Sequence, residues 1–118
     1  MKTPGYMTLK VWQKAHQAVL DVYRITQKLP IEERFGLVCQ MRRAAVSIPA
    51  NIVEGYGSQG RHRARYFSIS KTSADELRYY FLLTKDLGFL PAEDLMDEPL
   101  DEICAMLFRL RQNAAPGW

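Results

Sequence analysis

Residues 40–57 read QMRRAAVSIPANIVEGYG, and the fold turns on whether this stretch is one helix or two. Met41, Ala44 or Ala45, Ile48 and Ile52 recur at steps of three or four, the spacing of a buried helical stripe. Pro49 interrupts it chemically: inside a helix it removes the hydrogen bond to the carbonyl of Ala45, at a cost of roughly 3 kcal/mol. The apolar spacing nevertheless stays in phase from Ile48 to Ile52, which predicts one helix kinked at Pro49 and closed by Gly55 and Gly57. A second stripe, Gln40, Arg43, Ser47, Asn51 and Glu54, runs beside the first. It is either a solvated outer face or a polar seam against another helix or subunit. A partly buried arginine or glutamate in such a seam needs a partner, because breaking a buried pair costs several kcal/mol.

Outward from this stretch the same periodicity recurs. Upstream, Leu9, Trp12, His16, Val19, Tyr23 and Thr26 step by three and four, broadened by Ala15, Ala18, Leu20 and Val22, with Thr8 as N-cap. A lone histidine such as His16 in that seam reads as a core or interface residue. Pro30 breaks the pattern, and Ile31, Glu32 and Glu33 begin the second helix with acidic groups in its first turn. Downstream, three glycines within residues 55–60 mark a turn. Phe67, Ser70, Ala74, Leu77, Phe81 and Thr84 mark the face of a third helix closed by Gly88. Pro91 and Pro99 bracket a short helix, and Leu100, Ile103, Leu107 and Leu110 form the last seam.

The predicted architecture is all-α: an antiparallel up-down four-helix bundle in a single domain of 118 residues. Its helices fall at 8–29, 31–55, 61–87 and 91–113, with an arm at 1–7 and a tail at 114–118 in which Trp118 has no assigned partner. Antiparallel pairing about residue 58 sets Gln40 near Glu76, Arg43 near Ser73 and Glu54 near His62. The polar seam is then expected to be satisfied by Arg43 with Glu76 and by Glu54 with Arg61, Arg63 and Arg65. Apolar surface on the first and third helices exceeds what one small bundle buries, which points to self-association.

Composition narrows the function. No apolar run approaches a membrane span, and the start, MKTPGYMTLKVW, has no secretory segment, so a cytoplasmic protein without membrane contact is expected. Cys39 and Cys104 fall on predicted core faces as free thiols without metal-ligand spacing. No paired carboxylates stand out, and neither His16 nor His62 sits beside a nucleophile. GYGSQG follows a helix, where a phosphate loop needs a preceding strand. The expectation is a non-enzyme with no metal and no cofactor.

Charge distribution carries the functional signal. From Arg34 to Ala74 there are seven basic residues against one acid, Glu54, whereas residues 93–102 hold six acids and no base. Arg61, Arg63 and Arg65 crowd the start of the third helix, where positive charge is disfavoured by about 0.3–1 kcal/mol each. A compensating anion is therefore expected: Glu54, an acidic segment of a neighbouring subunit, or a nucleic-acid phosphate.

The stretch QMRRAAVSIPANIVEG closely resembles the signature of the four-helix bundle family that includes proteins encoded in 23S ribosomal RNA intervening sequences. LKVWQKAHQAVLDVYRITQKLP, ERFGL and YFSISKTSADELRYYFLLTKDLGFL match the family's other helices. The accessory variability determinant of diversity-generating retroelements looks like a more distant relative. Val53, Ser70, Thr72 and the loop SQGRHRAR depart from common family residues. The resemblance implies a homopentameric, barrel-like ring. Repeated around such a ring, Arg61, His62, Arg63 and Arg65, with Lys71 behind them, would form a basic rim for RNA or DNA phosphates. His62 or Tyr66 would stack on an unpaired base. The alternative is a scaffold that docks a protein partner and binds no nucleic acid.

Overall fold

The computed structural model describes residues 2–116; Trp118 lies outside them, as do Met1 and Gly117. Four helices account for most of the chain: α1 (Lys10–Thr26), α2 (Leu37–Tyr56), α3 (Gly60–Asp86) and α4 (Asp97–Ala114). No strand occurs among the described residues. Each helix packs on its sequence neighbour, and α1 closes on α4, giving the expected four-helix bundle.

α2 runs unbroken through Pro49, whose ring is buried together with Met41, Ala44, Ala45, Ile48 and Ile52. α3 buries the expected face, Phe67, Ser70, Ala74, Leu77, Phe81 and Thr84, and adds Ala64. Its buried hydroxyls stay paired: Ser70 Oγ donates to the Ile48 carbonyl at 2.8 Å, and Thr84 Oγ1 to the Phe81 carbonyl at 2.7 Å. α4 buries Leu100, Ile103, Cys104 and Leu107. Gly60 and Gly88 supply the positive φ angles (56° and 79°) with which α3 starts and the chain leaves it.

The first helix differs from expectation in its buried face. The core stripe of α1 is Val11, Ala15, Ala18, Val22 and Ile25, about one residue round from the predicted seam, of which Thr26 alone is fully buried; Ala15, Ala18 and Val22, expected only to broaden the seam, carry the core. Small alanines let the neighbouring helices come close, while Trp12 and Val19 lie on the rim and Tyr23 and His16 are exposed. His16 stacks on Trp12, with ring centroids 5.0 Å apart and planes 5° apart.

Three helix starts also shift. Thr8 does not cap α1: Gly5–Thr8 forms a 3-10 turn in which Thr8 Oγ1 donates back to the Gly5 carbonyl at 2.6 Å, and extended Leu9 takes the cap position. The second helix begins at Leu37, not Ile31. Ile31–Glu33 is a separate 3-10 turn, and Glu33 Oε1 accepts from the Leu37 N–H at 3.3 Å across the bend at Gly36. Ala92–Asp94 is likewise a 3-10 turn, after which α4 carries Pro99 in its first turn, where a missing N–H costs little.

Candidate nucleic-acid interface

The turn from α2 to α3 places the basic cluster. The last carbonyls of α2 lack helical donors and carry partial negative charge. Arg63, one turn into α3, reaches back to them: its Nε donates to the Gly55 carbonyl and its Nη2 to the Tyr56 carbonyl, both at 3.0 Å. Ser58 Oγ donates to the Glu54 carbonyl at 2.9 Å. Within the chain, the compensating negative charge for Arg63 is thus the C-terminal end of α2 and not Glu54. Arg63 is partly buried and committed to the turn. Arg63→Ala is expected to lower stability by about 1–2 kcal/mol through loss of two charge-assisted bonds, since the Gly55 carbonyl keeps the Ser58 N–H at 3.1 Å and the exposed Tyr56 carbonyl is open to water. Urea denaturation measures it, and an unchanged midpoint would mean that water serves those carbonyls equally well.

Arg61, His62 and Arg65 are exposed, and no carboxylate lies within ion-pair distance of them among the described residues. Lys71 pairs with Asp75 one turn along, at 2.9 Å. Tyr66, half-buried, remains beside His62 on the next turn of the helix. The expected rim therefore divides. Arg61, His62 and Arg65 are brought together and open, Arg63 is turned inward, and Lys71 is tied to its neighbour.

The polar seam is satisfied at its centre and open at its ends. Ser47 Oγ and Ser73 Oγ share a hydrogen bond of 2.7 Å, and Asn51 Nδ2 donates to both the carbonyl and Oγ of Ser47, at 2.8 and 3.0 Å. Gln40, Arg43 and Glu54 are exposed. The predicted pairs of Arg43 with Glu76 and of Glu54 with the arginines are absent among the described residues. Register explains the difference. Ser73 faces Ser47, one turn beyond the predicted Arg43, and long charged side chains at the margin extend into water at little cost. Glu76 instead accepts from the Tyr80 hydroxyl at 3.0 Å. Burial, with that contact, pushes the Tyr80 hydroxyl above its ordinary range, and Arg43 opposes the shift.

Other candidate chemistry resolves into structure. Cys39 is exposed, contrary to expectation, while Cys104 is buried as expected. Burial raises the Cys104 thiol, and Asp75, which accepts its hydrogen bond at 3.5 Å, raises it further, so the thiol stays protonated at neutral pH. Among the described residues no group of three His, Cys, Asp or Glu is placed to hold a metal ion, and no helix is long and apolar enough to cross a membrane.

The bundle is electrically two-ended. Leu9, Tyr56, Arg63 and Asn113 line one cleft, so the α2–α3 turn shares an end with the start of α1 and the finish of α4. Lys28 pairs with Asp94 at 2.8 Å at the opposite end. Divided at the helix midpoints, the turn-bearing half holds Lys2, Lys10, Lys14, Arg61, Arg63, Arg65, Lys71, Arg109 and Arg111, nine of the 16 bases, against one of the 13 acids, Glu54; Lys14 and Lys71 pair across the dividing line with Glu102 and Asp75. The acidic run at residues 93–102 lies in the other half. Sequence reading missed Lys10, Arg109 and Arg111, which are remote from the central motif in sequence and adjoin its end only through the topology.

The family model described as 23S rRNA-intervening sequence protein matches residues 7–109. Among solved structures, the chain is similar to the crystal structure of a protein of unknown function from the S23 ribosomal protein family of Bacteroides thetaiotaomicron. The two share 23% sequence identity, with a TM-score of 0.79 over 86% of this chain and 95% of that one. At that identity the likeness concerns the fold. No curated protein matches the sequence.

Proposed function

Because the chain belongs to the 23S rRNA-intervening sequence protein family, we propose that it is a non-enzymatic, homo-oligomeric helical bundle that binds RNA or DNA phosphates through Arg61, Arg65 and His62. The observation that carries this reading is the open position of Arg61 and Arg65, exposed, without a carboxylate partner among the described residues, at the end away from the acidic run. Leaving like charges four residues apart at a helix start is locally unfavourable. A polyanion at this end reverses that sign. Recognition of this kind is directed at backbone and shape, needs no cofactor, and weakens steeply with salt.

Assembly involves a different face. Arg42 donates from Nε to Thr26 Oγ1 at 3.0 Å and lies over the Tyr23 ring at 4.5 Å, marking the α1–α2 seam. Along its outer side run Trp12, Val19, Leu20, Tyr23 and Val46; Leu20, Tyr23 and Val46 are 51%, 42% and 43% exposed. This apolar strip is the surface through which copies of the chain associate, and the pentamer implied by the family resemblance is the expected assembly, in the cytoplasm.

The test is a titration of labelled structured RNA and single-stranded DNA at several salt concentrations, with sedimentation of the same preparation to read its assembly. The Arg61→Ala/Arg65→Ala variant is expected to bind more weakly and to flatten the slope of log affinity against log salt by roughly 1.4–1.8 per engaged chain. No binding at low salt by an assembled oligomer rejects the nucleic-acid reading. It would favour a protein-docking scaffold, a second reading supported by Ile31 and Phe35, which are 68% and 84% exposed between α1 and α2.

A further inference from the structure

Phe108 follows Cys104 by one turn of α4, so it faces the same way, toward α3, yet 49% of its surface is open to solvent. Two contacts set the α3–α4 register: Arg78 Nη2 to Asp101 Oδ1 at 2.7 Å, and Cys104 Sγ to Asp75 Oδ1 at 3.5 Å. Continued by one turn in each helix, that register brings Phe108 level with Lys71, and Arg111 level with Ser68, three residues from Arg65. The Arg111 guanidinium already lies over the Phe108 ring, 5.8 Å from its centroid. Beyond Asp75 toward this end, neither residues 60–74 of α3 nor residues 103–114 of α4 include a carboxylate. Asp75 itself is engaged by Lys71. Packing alone does not account for the ring: Ile103 and Leu107 already fill the core side of this helix, and Phe108 is left at the margin, half in water, within a run of cations.

We propose that Phe108 is a stacking platform for an unpaired nucleobase, so that the ligand of the basic end is single-stranded nucleic acid with its phosphates on Arg61, Arg65 and Arg111. This rests on the nucleic-acid reading above and narrows it to one ligand class. A duplex offers its phosphates to the arginines but keeps its base faces within the stack, leaving Phe108 without a partner. A single strand supplies both the phosphates and a free π-face, and aromatic stacking of this kind tolerates any base. Phe108 lies along the α3–α4 seam, which places the strand across that face of the bundle and off the apolar α1–α2 strip.

The experiment compares an oligouridine single strand with an RNA duplex of equal length by fluorescence anisotropy, at several salt concentrations. The proteins are the wild type, Phe108→Ala, Phe108→Trp and the Arg61→Ala/Arg65→Ala variant. Phe108→Ala is expected to weaken single-strand binding about 10-fold. It should leave duplex affinity and the salt slope unchanged, since no phosphate contact is lost. Phe108→Trp keeps single-strand affinity, which separates loss of the ring from loss of the fold, and its added indole fluorescence is quenched as a base stacks. Three results overturn the assignment while leaving phosphate binding in place: equal losses for both ligands in Phe108→Ala, no loss for either, or failure of Phe108→Trp to bind the single strand. Absence of binding by the wild type removes both proposals.

Discussion

Phe81→Ala is expected to lower the unfolding free energy by about 3–5 kcal/mol, enough to reduce Tm by roughly 10–20 °C. Phe81 is fully buried in α3 and is first by volume among the fully buried side chains. Its ring belongs to the cluster that joins all four helices, with Leu77 before it and Leu90 and Leu100 contributed from the far end of the bundle. Truncation removes both the transfer free energy of the ring and the contacts of every side chain that lined it. A domain of this size has a total stability of about 5–15 kcal/mol, so one residue governs a large share of it. Urea denaturation of both proteins at one concentration holds constant any contribution from self-association. A loss below about 1 kcal/mol would mean that the bundle end collapses into the vacated space.

Gly55→Leu is the second large effect, and it acts through the interface. A Cβ at position 55 would sit 2.7 Å from Phe67 Cε1 and 3.0 Å from its Cδ1, and Phe67, only 4% exposed, can give way only toward the cleft it lines with Leu9 and Leu110. Overpacking of this kind costs about 1–3 kcal/mol. Because the added bulk parts α2 from α3 where Arg63 holds the Gly55 carbonyl, that bond is expected to weaken as well. Gly55→Ala sets about 1 kcal/mol of helix propensity against the same clash. Pairing it with Phe67→Leu gives a direct check: the double variant should be more stable than the two single losses sum to. Additive losses would show that Phe67 is not what constrains position 55.

The helical organisation was legible because its signals are redundant. In α2 the stripe from Met41 to Ile52 holds its phase across Pro49, so the proline did not mislead, and in α3 every predicted core position is buried. α1 was read one residue out of place. Trp12, Val19 and Tyr23 outweigh Ala15 and Ala18 in hydrophobicity, yet the alanines lie at the helix contacts and the larger residues line the rim. Two stripes one residue apart have the same period, so only packing separates them. The partners of charged groups were less legible still. A one-turn difference in register is enough to set Ser47, not Arg43, against Ser73. The counter-charge for Arg63 is a pair of backbone carbonyls, which no pattern of side chains records. Phe108 and Arg111 sit far from the central motif in sequence and reach the basic end only because α4 runs back along α3.

The separation of charge along the bundle also bears on how fast a partner arrives. A body with cations gathered at one end and carboxylates at the other experiences a torque in the field of a polyanion. It is rotated during approach, so encounters begin with the arginine end leading. The orientational search that ordinarily slows docking is shortened, and the association rate rises while dissociation is left to the contacts themselves. Added salt erases this advantage first, because the torque acts over distances beyond the Debye length of about 8 Å at physiological ionic strength. If copies stand side by side with their ends aligned, their dipoles add, and the assembly presents one attracting and one repelling surface to a passing strand.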